Sequence, residues 1–404
     1  IIIIFNLFFL RGVCMHNLTD NIIKNAIKVR LEKIGYSFLV ESLFYFYLIY
    51  RYLGFLAHLV KDIFATKVIP SIKEGKEVKL RQIQYGFEKE VQVDLSIIIA
   101  AYNAENYIKQ CIYSILEQDI KYNYEILVIN DCSTDSTRES LEEFSHHKNI
   151  RIFNWKKNQG VSSARNFGII NSAGRYLMFL DCDDLLYNNS IQKTIDQAMN
   201  YDLDIVEFSY VRFQSEKTID YNLTKSVSKP IITNVHSKML EFSSGYAWAK
   251  LYKRELFENI RFPEGVEFED EIIHKIVFRL CNQYMHLGCV GYLYRDAPGS
   301  ITKSIENKNL VWDHLYMIQY CVNETKRLNL SIDNLFFRQL ILESGLMMKN
   351  RSFYLNSPEL LFIFSKLTDL LNECNKGFKL TIRERLILVC IKNRYVNAWK
   401  KIAF

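Results

Sequence analysis

Acidic side chains follow apolar runs at two places in this chain, and a third acidic cluster follows a turn-like segment. The segment Asp181-Cys-Asp-Asp184 comes directly after the run Tyr176–Leu180, and Asp131 closes another apolar run. The third cluster is Glu267-Phe-Glu-Asp-Glu271. Carboxylates at alternating positions supply the hard oxygen ligands that Mg²⁺ or Mn²⁺ prefers. This spacing predicts a metal-dependent enzyme that handles a nucleotide diphosphate.

The composition limits the classes of protein to which the chain can belong. Its 404 residues exceed one average domain and fit two or three. Apolar residues make up 49% and charged residues 24%, as in soluble or peripheral proteins with a substantial core. The net charge is only +6 and basic residues are dispersed, so no nucleic-acid partner is predicted. Nine cysteines without a Cys-x-x-Cys pair predict reduced thiols in a cytosolic compartment, and no zinc site.

Strand and helix patterns alternate from Val93 onward. The run Leu95–Ala101 is continuously apolar, as in a strand buried on both faces. Further strands are predicted over Glu125–Asn130, Ile150–Asn154, Tyr176–Leu180 and Asp204–Tyr210. Helices are predicted over Glu105–Gln118, Gly160–Ser172 and Ile191–Met199, and over a stretch that is capped by Ser133–Thr137 and runs to Phe144. This alternation predicts an α/β fold with a Rossmann-like, mainly parallel sheet and helices on both faces.

Polar residues follow three of these predicted strands. They are Tyr102-Asn103, Asp131 and Asp181-Cys-Asp-Asp184. In an open parallel sheet, ligands bind beyond the carboxyl ends of the strands. We therefore expect these three segments to meet at one edge of the sheet and to form a binding site.

Two helical regions are predicted to flank an α/β domain of residues 93–304. Residues 1–92 form an N-terminal extension, and the first methionine, Met15, predicts that residues 1–14 are not translated. Within the extension, Phe38–Val60 is apolar but interrupted by charged residues. That stretch fits a helix packed on the domain, an interfacial membrane helix or a membrane span. Residues 305–404 form the second region, which is predicted to be helical.

The C-terminal stretch Arg383–Lys401 is basic and contains the aromatic residues Tyr395 and Trp399. Two interpretations are open. A basic amphipathic helix with aromatic anchors suits a membrane surface that bears anionic lipid. Alternatively, a terminal helix packs its apolar face on the protein. The first interpretation predicts a cytoplasmic enzyme with peripheral contact at the inner face of the cell membrane.

Four blocks of the chain resemble family 2 glycosyltransferases. They are Leu95–Asn103, Ile126–Asp135, Asn158–Gly168 and Phe179–Asp184, and they occur in the order and spacing typical of that family. The resemblance covers roughly residues 93–302. It implies the GT-A fold, a nucleotide-diphosphate sugar as donor and inversion at the anomeric carbon.

The chain departs from the family pattern at two positions. Ala100 stands where the family usually has proline, and Cys132 where it usually has glycine. A backbone that needs positive φ at position 132 is strained when the residue is cysteine. Neither change removes a functional side chain.

The resemblance also implies the residues of the donor site. Ala101, Tyr102 and Asn103 form the floor of the nucleotide pocket, where Tyr102 stacks on a base. Asp131 accepts a hydrogen bond from the uracil ring or the ribose, and Arg165 reaches the nucleotide or its diphosphate. Each assignment has an alternative. Tyr102 is then an ordinary half-buried aromatic residue, Asp131 a turn-forming residue and Arg165 a partner in a surface salt bridge. Two more residues are assigned to the same pocket, namely Glu105 and Cys182.

Asp181 and Asp183 match the Asp-x-Asp motif of the family. The resemblance implies that one of them binds the ribose and a metal ion, and that the other coordinates the metal directly. Mg²⁺ or Mn²⁺ then bridges the two phosphates of the donor. The alternative is a charged loop that caps the next helix. Asp184 is expected to orient this loop.

Two further blocks, Trp248–Phe257 and Phe262–Glu271, resemble the acceptor-side region of bacterial polysaccharide glycosyltransferases of the same family. Asp270 matches the position of the catalytic base, with Glu269 beside it, and an inverting displacement needs such a carboxylate opposite the leaving group. Trp248 and Lys250 are assigned to acceptor binding, and Arg295 to a phosphate contact. The alternative for Asp270 and Glu269 is a solvated acidic turn, and the alternative for Trp248 is packing in the core.

These assignments predict transfer of a single sugar from a UDP-sugar to a glycan. In bacterial relatives the acceptor is often a polyprenyl-diphosphate-linked oligosaccharide of a cell-surface polysaccharide. A nucleotidyltransferase of similar fold is one alternative, although Ala101–Glu105 lacks the glycine-rich phosphate loop of such enzymes. The other alternative is a glycan-binding or nucleotide-sugar-binding protein with a degenerate site.

Overall fold

A sheet of nine strands carries the site residues in the part of the chain that the structure describes. The structure is a computed structural model that describes residues 53–63, 85–187, 189–214, 228–296, 309–352, 355 and 357–401. The strands are β1 (Val93–Ala101), β2 (Tyr124–Asn130), β3 (Ile150–Asn154), β4 (Gly174–Asp181), β5 (Leu185–Leu186), β6 (Ile205–Phe213), β7 (Ile231–Thr233), β8 (Lys250–Lys253) and β9 (Tyr284–Arg295).

The strand order is β3-β2-β1-β4-β8-β6-β9-β5, and β7 pairs with β9. The four strands from β3 to β4 are parallel, as predicted. Beyond them, β8 is antiparallel to both β4 and β6, while β6 and β9 are parallel. The carboxyl ends of β1, β2 and β4 therefore meet at one edge, where the three polar segments follow.

Helices cover the sheet within the first compact unit, Lys73–Phe336. They are α1 (Ile108–Leu116), α2 (Thr137–Glu142), α3 (Val161–Asn171), α4 (Ser190–Tyr201), α5 (His236–Phe242), α6 (Phe278–Leu280) and α7 (Asn309–Arg327). A 3₁₀ turn spans Arg254–Phe257, and a π-helical turn spans Ile273–Val277. The four helices predicted between residues 105 and 199 are present, each within a few residues of its predicted bounds.

Glycine permits close packing of α3 on β1. A Cβ atom at Gly168 would lie 2.4 Å from Cγ2 of Ile98, and real Cβ atoms do not approach that closely. A Cβ atom at Gly174 would lie 2.4 Å from the backbone nitrogen of Ser96. These two positions keep α3 and the start of β4 close against β1, so that Arg165 on α3 is held over the sheet edge.

The second compact unit contains residues 1–72 and 337–404. Residues 53–63 are helical. The C-terminal helices are α8 (Asn334–Leu342), which begins just before this unit, α9 (Met348–Arg351), α10 (Ser357–Cys374), α11 (Ile382–Lys392) and α12 (Val396–Lys401), with a π-helical turn over Glu343–Met347. The predicted α/β class and the helical C-terminal region are confirmed.

The C-terminal stretch Arg383–Lys401, for which a membrane-surface helix was one interpretation, forms the two helices α11 and α12. Its tryptophan, Trp399, is buried. Trp399 packs edge-on against Phe364, with ring centroids 5.0 Å apart. The backbone nitrogen of Ala398 donates to Asp62, 2.7 Å away. The structure therefore favours the packed interpretation for this apolar face. Membrane contact through the exposed residues Arg385 and Lys401 stays a prediction.

The described helices are all too short or too polar to cross a bilayer. Residues 1–14 and most of Phe38–Val60 lie outside the described residues, so the predictions for those segments stay open.

Candidate active site

Asn103 and Glu105 join the loop after β1 to the loop after β2. The backbone nitrogen of Thr134 donates to Oδ1 of Asn103 at 2.8 Å, and that of Ser136 donates to Oε2 of Glu105 at 2.9 Å. The pocket floor predicted from the sequence is thus braced by its own side chains. Direct contact of Asn103 or Glu105 with a nucleotide stays a prediction.

Asp131 lies between β2 and the start of α3 and is almost fully buried. Its carboxylate oxygens accept hydrogen bonds from the backbone nitrogens of Gln159 and Gly160, both at 2.7 Å. Asp131 therefore fixes the loop that leads into α3. Because a carboxylate oxygen accepts more than one hydrogen bond, the predicted contact with uracil or ribose is compatible with this role.

Tyr102 and Cys182 come together at the carboxyl edge of the sheet. Tyr102 is 48% exposed, as a ring that stacks on a base requires, whereas Ala101 is buried. The Cys182 thiol accepts a hydrogen bond from the backbone of Tyr102, and burial raises the pKa of this thiol. Cys132 has φ of 60°, so the predicted backbone strain at that position is confirmed.

Arg165 is the centre of the site. Its Nη2 donates to Oδ1 of Asp181 at 2.9 Å, and its Nη1 donates to Glu269 at 2.7 Å and to Asp270 at 3.2 Å. Burial opposes the charge, but the attraction of these three carboxylates outweighs it and raises the pKa of Arg165. The contact predicted for Arg165 was a nucleotide or its diphosphate. The structure instead shows a guanidinium that joins three carboxylates.

The surroundings of the Asp270 carboxyl bring its pKa close to neutrality. Burial and the neighbouring Glu269 raise its pKa to about 7, although Arg165 acts in the opposite direction. The side chain remains 25% exposed, so an acceptor can reach it. A carboxylate with a pKa near the working pH is suited to accept a proton. The pKa and the exposure of Asp270 are compatible with the predicted role, which stays a prediction.

The loop after β4 concentrates negative charge. Burial and the nearby Asp181 raise the pKa of Asp183 to about 6. Burial, Asp181 and Asp183 together raise the pKa of Asp184 to about 8. Asp184 accepts hydrogen bonds from Tyr292 Oη and from the backbone nitrogen of Arg295, both at 2.7 Å. Asp184 therefore orients the loop, as predicted from the sequence.

Arg295 holds the same loop from the other side. Its Nε donates to the backbone oxygen of Asp183 at 2.7 Å, and its Nη2 donates to Gln110 at 2.9 Å. The guanidinium also lies over the rings of Tyr107 and Phe213. Protein groups take two of the five N–H donors of Arg295, and its predicted phosphate contact stays a prediction. Arg295 positions the acidic loop.

Asp181 and Asp183 fit a divalent cation. They are oxygen ligands in one short loop, and the repulsion among its carboxylates is relieved by a bound positive charge. Among the described residues, no cation forms an ion pair with the Asp183 carboxylate, and Asp181 keeps one oxygen outside its bond to Arg165. Mg²⁺ is commonly held by one or two carboxylates together with substrate phosphates, and this donor set matches that pattern.

Lys250 is buried and does not bind an acceptor as predicted from the sequence. The predicted acceptor-binding ammonium is fully buried and lies 3.2 Å from Oε1 of Glu207. It donates to the hydroxyl of Ser244 at 2.9 Å and to the backbone oxygen of Tyr246 at 2.8 Å. Glu207 also accepts a hydrogen bond from the Tyr284 hydroxyl at 2.9 Å. Lys250 thus supports the loop before β8 from within and does not face an acceptor.

Replacement of Lys250 by methionine is expected to destabilise the fold by about 3–5 kcal/mol, because it leaves the buried Glu207 charge without its partner. Denaturant unfolding measures this loss. The double variant Lys250→Met/Glu207→Gln is expected to recover part of it, since it removes both charges. An unchanged unfolding midpoint in Lys250→Met would show that the pair does not stabilise this loop.

Trp248 also lies in the core rather than at the surface. It is 3% exposed and stacks between Tyr246, with centroids 4.4 Å apart, and Tyr292, with centroids 4.6 Å apart. The sequence interpretation of Trp248 as a residue that stacks on a sugar is therefore wrong for this ring, because both of its faces are covered.

The sequence interpretation missed residues that support the site. Glu207 lies inside a predicted apolar strand, and a carboxylate there signals a buried cationic partner. Tyr292 and Tyr294 alternate on β9, which places both on the same face of the sheet. Tyr246 lies two residues before Trp248. Nothing in these short patterns shows which tyrosine reaches the acidic loop.

Comparison with known proteins identifies the domain. The sequence pattern of the family described as Glycosyl transferase family 2 matches residues 96–261. This span contains most of β1, the acidic loop after β4 and Arg165. The chain carries a family 2 glycosyltransferase domain. Glu269 and Asp270 follow just after the matched span of this glycosyltransferase domain.

Relatives of the glycosyltransferase domain are bacterial. The chain is 32% identical to glycosyltransferase GlyA of Streptococcus pneumoniae over 233 residues, which are 55% of this chain and 32% of GlyA. It is 30% identical to the minor teichoic acid biosynthesis protein GgaB of Bacillus subtilis over 247 residues, which are 58% of this chain and 27% of GgaB. The chain thus spans less than a third of the length of either relative.

A solved structure confirms the predicted GT-A fold of the glycosyltransferase domain. The fold is similar to that of the 1–349 piece of S. aureus TarS in complex with UDP-GlcNAc, with a TM-score of 0.61. The two chains are 16% identical, and the similarity covers 76% of this chain and 90% of that chain.

Proposed function

We propose that the chain is an inverting glycosyltransferase. It moves one sugar from a UDP-sugar to a hydroxyl of a glycan or of a polyprenyl-diphosphate-linked oligosaccharide, in the synthesis of a cell-surface polysaccharide. The family of the domain supports the reaction class. The names of the TarS complex and of GgaB support the donor and the pathway. The enzyme works in the cytoplasm, with peripheral contact at the inner face of the membrane.

The position of Arg165 carries this proposal. One guanidinium binds Asp181, in the predicted donor loop, and Asp270, the predicted base. The two carboxylates are therefore separated by little more than the width of that group. A single displacement needs the base and the leaving diphosphate on opposite sides of one sugar ring. Contact with one arginine keeps the predicted base and the predicted donor loop in the same site, as that reaction requires.

Asp270 removes the proton from the acceptor hydroxyl as that oxygen attacks the anomeric carbon. Arg165 keeps the carboxylate in place and favours its ionised form. Glu269 shares the same guanidinium nitrogen and so limits the rotation of the cluster. When Asp181 and Asp183 hold Mg²⁺ or Mn²⁺, the ion neutralises charge on the departing nucleoside diphosphate.

The pH dependence of the reaction is expected to report the ionisation of Asp270. Its raised pKa moves the acidic limb of the rate profile from the usual carboxyl range to about pH 7, because only the ionised form accepts a proton. Transfer is therefore fully present above that pH and lost as the pH falls below it. Initial rates of UDP release across this range measure the effect. A flat profile between about pH 5 and 8 would contradict the assignment.

A panel of nucleotide sugars tests the proposed function. Purified protein is incubated with Mn²⁺ and with UDP-, GDP- and TDP-linked sugars, and release of the nucleoside diphosphate is measured. The proposal predicts release from at least one UDP-sugar. A binding protein with a degenerate site would release none, and a nucleotidyltransferase would form or consume pyrophosphate instead.

A further inference from the structure

A column of stacked rings connects the acidic loop to the protein surface. Tyr292 donates its hydroxyl to Asp184 at 2.7 Å, and its ring stacks on Trp248 with an interplanar angle of 15°. Trp248 stacks in turn on Tyr246 with an angle of 8°. The inner end of the column therefore touches the loop that is assigned to the donor, and Tyr246 is its outer end.

Tyr246 presents an open aromatic face. It is 36% exposed, and Trp248 covers one of its two faces. Tyr210 approaches edge-on, with centroids 6.2 Å apart and an angle of 88°. Among the described residues no second ring stacks on Tyr246, so no aromatic ring covers the face that points away from Trp248. A flat, rigid ring with one open face is suited to bind another flat or chair-shaped ring.

The loop that carries Tyr246 is attached to the segment of the base. A Cβ atom at Gly245 would lie 3.6 Å from Nδ1 of His274, which is one helical turn after Asp270. The hydroxyl of Ser243 lies 3.1 Å from Nε2 of the same histidine. The open ring thus lies on the acceptor side of the site.

Polar groups lie two rings away from Tyr246, because its neighbour Tyr210 contacts Tyr294 with centroids 6.4 Å apart. Arg212 lies over the ring of Tyr294, 5.0 Å from its centroid, and pairs with Asp296 at 3.3 Å. The side chain of Arg212 is 55% exposed. The exposed ring of Tyr246 is therefore linked, through Tyr210 and Tyr294, to an exposed ion pair. Pyranose rings combine C–H groups on a face with hydroxyls around the edge.

We propose that Tyr246 is the stacking platform for a pyranose ring of the acceptor, with Tyr210, Tyr294 and Arg212 as its rim. This inference rests on the proposed function and makes it more specific: the acceptor presents a cyclic sugar next to Asp270. The polarised C–H groups of the sugar meet the negative face of the tyrosine ring. An acyclic polyol or a bare lipid headgroup offers no such face.

Saturation-transfer NMR tests the platform without knowledge of the natural acceptor. The probes are the methyl β-glycosides of glucose, galactose and N-acetylglucosamine. Wild-type protein is expected to transfer saturation to the ring C–H protons of at least one probe. Tyr246→Ala is expected to weaken that binding by about 2- to 10-fold, the usual contribution of an aromatic pair, whereas Tyr246→Phe keeps the ring and retains it.

Tyr201→Ala is the matched control and is expected to bind like the wild type. Tyr201 is 58% exposed and precedes Asp202, which pairs with Arg175 at the opposite end of the sheet. Thermal melting of all variants verifies their folding. Absence of binding to the wild type, or equal binding to wild type and Tyr246→Ala, would overturn the platform. UDP release by the wild type is measured separately, and its absence would contradict the proposed function instead.

Discussion

Replacement of Asp270 by asparagine is expected to lower sugar transfer by about 10²–10⁴-fold, the usual contribution of a general base. Asparagine has nearly the same shape, and its oxygen still accepts the hydrogen bond that Arg165 donates at 3.2 Å. The cluster therefore keeps its geometry while the side chain loses the ability to take a proton. Initial rates of UDP release measure the effect, and calorimetric titration with UDP is expected to show unchanged donor affinity.

Asp202→Asn is the control for this variant, because Asp202 is an exposed aspartate at the opposite end of the sheet. It is expected to transfer sugar at the normal rate. If Asp270→Asn also does so, the base lies elsewhere. Glu269, which shares Arg165 Nη1, would then be the next residue to replace.

Replacement of Asp183 by alanine is expected to lower activity by about 10²–10³-fold. A Lewis-acid metal lowers the activation free energy by several kcal/mol, and about 1.4 kcal/mol corresponds to a tenfold change in rate. The fold is expected to persist. Arg295 binds the backbone oxygen of Asp183, which alanine retains, and the carboxylate makes no ion pair with the described residues. Thermal melting measures whether the fold persists, and UDP release measures the loss of activity.

Chelation with EDTA is expected to reproduce the loss seen in Asp183→Ala, and added Mn²⁺ or Mg²⁺ to restore the wild type but not the variant. Asp119→Ala, at an exposed aspartate outside the acidic loop, serves as the control and keeps full activity. Full activity of the wild type in excess EDTA would remove the metal assignment. It would leave the role of Asp270 as base untouched.

Local sequence patterns predicted the half of the sheet that carries the proposed donor site. The runs in the middle of β1, β2 and β4 are almost entirely apolar, because parallel strands covered on both faces have no polar side. The carboxyl ends of such strands meet by topology, so Tyr102, Asp131 and the loop after Asp181 could be placed together without coordinates. The observed edge agrees with that prediction.

Long-range partners could not be read from the sequence. Arg165 and Asp270 are 105 positions apart, and Glu207 and Lys250 are 43 positions apart by their numbers. Whether a basic residue faces a ligand or a buried carboxylate depends on how the segments pack, and no local period encodes that. The misassignments of Lys250 and Trp248 have this cause. Both residues stand beside the site and support it from within the core.

The anomeric configuration of the released sugar tests the central claim most directly. With water as acceptor, the enzyme hydrolyses a UDP-α-sugar, and proton NMR follows the first minutes, before the product mutarotates. A single displacement driven by Asp270 predicts that the β-anomer accumulates first. Initial release of the α-anomer would show retention of configuration and would contradict the account.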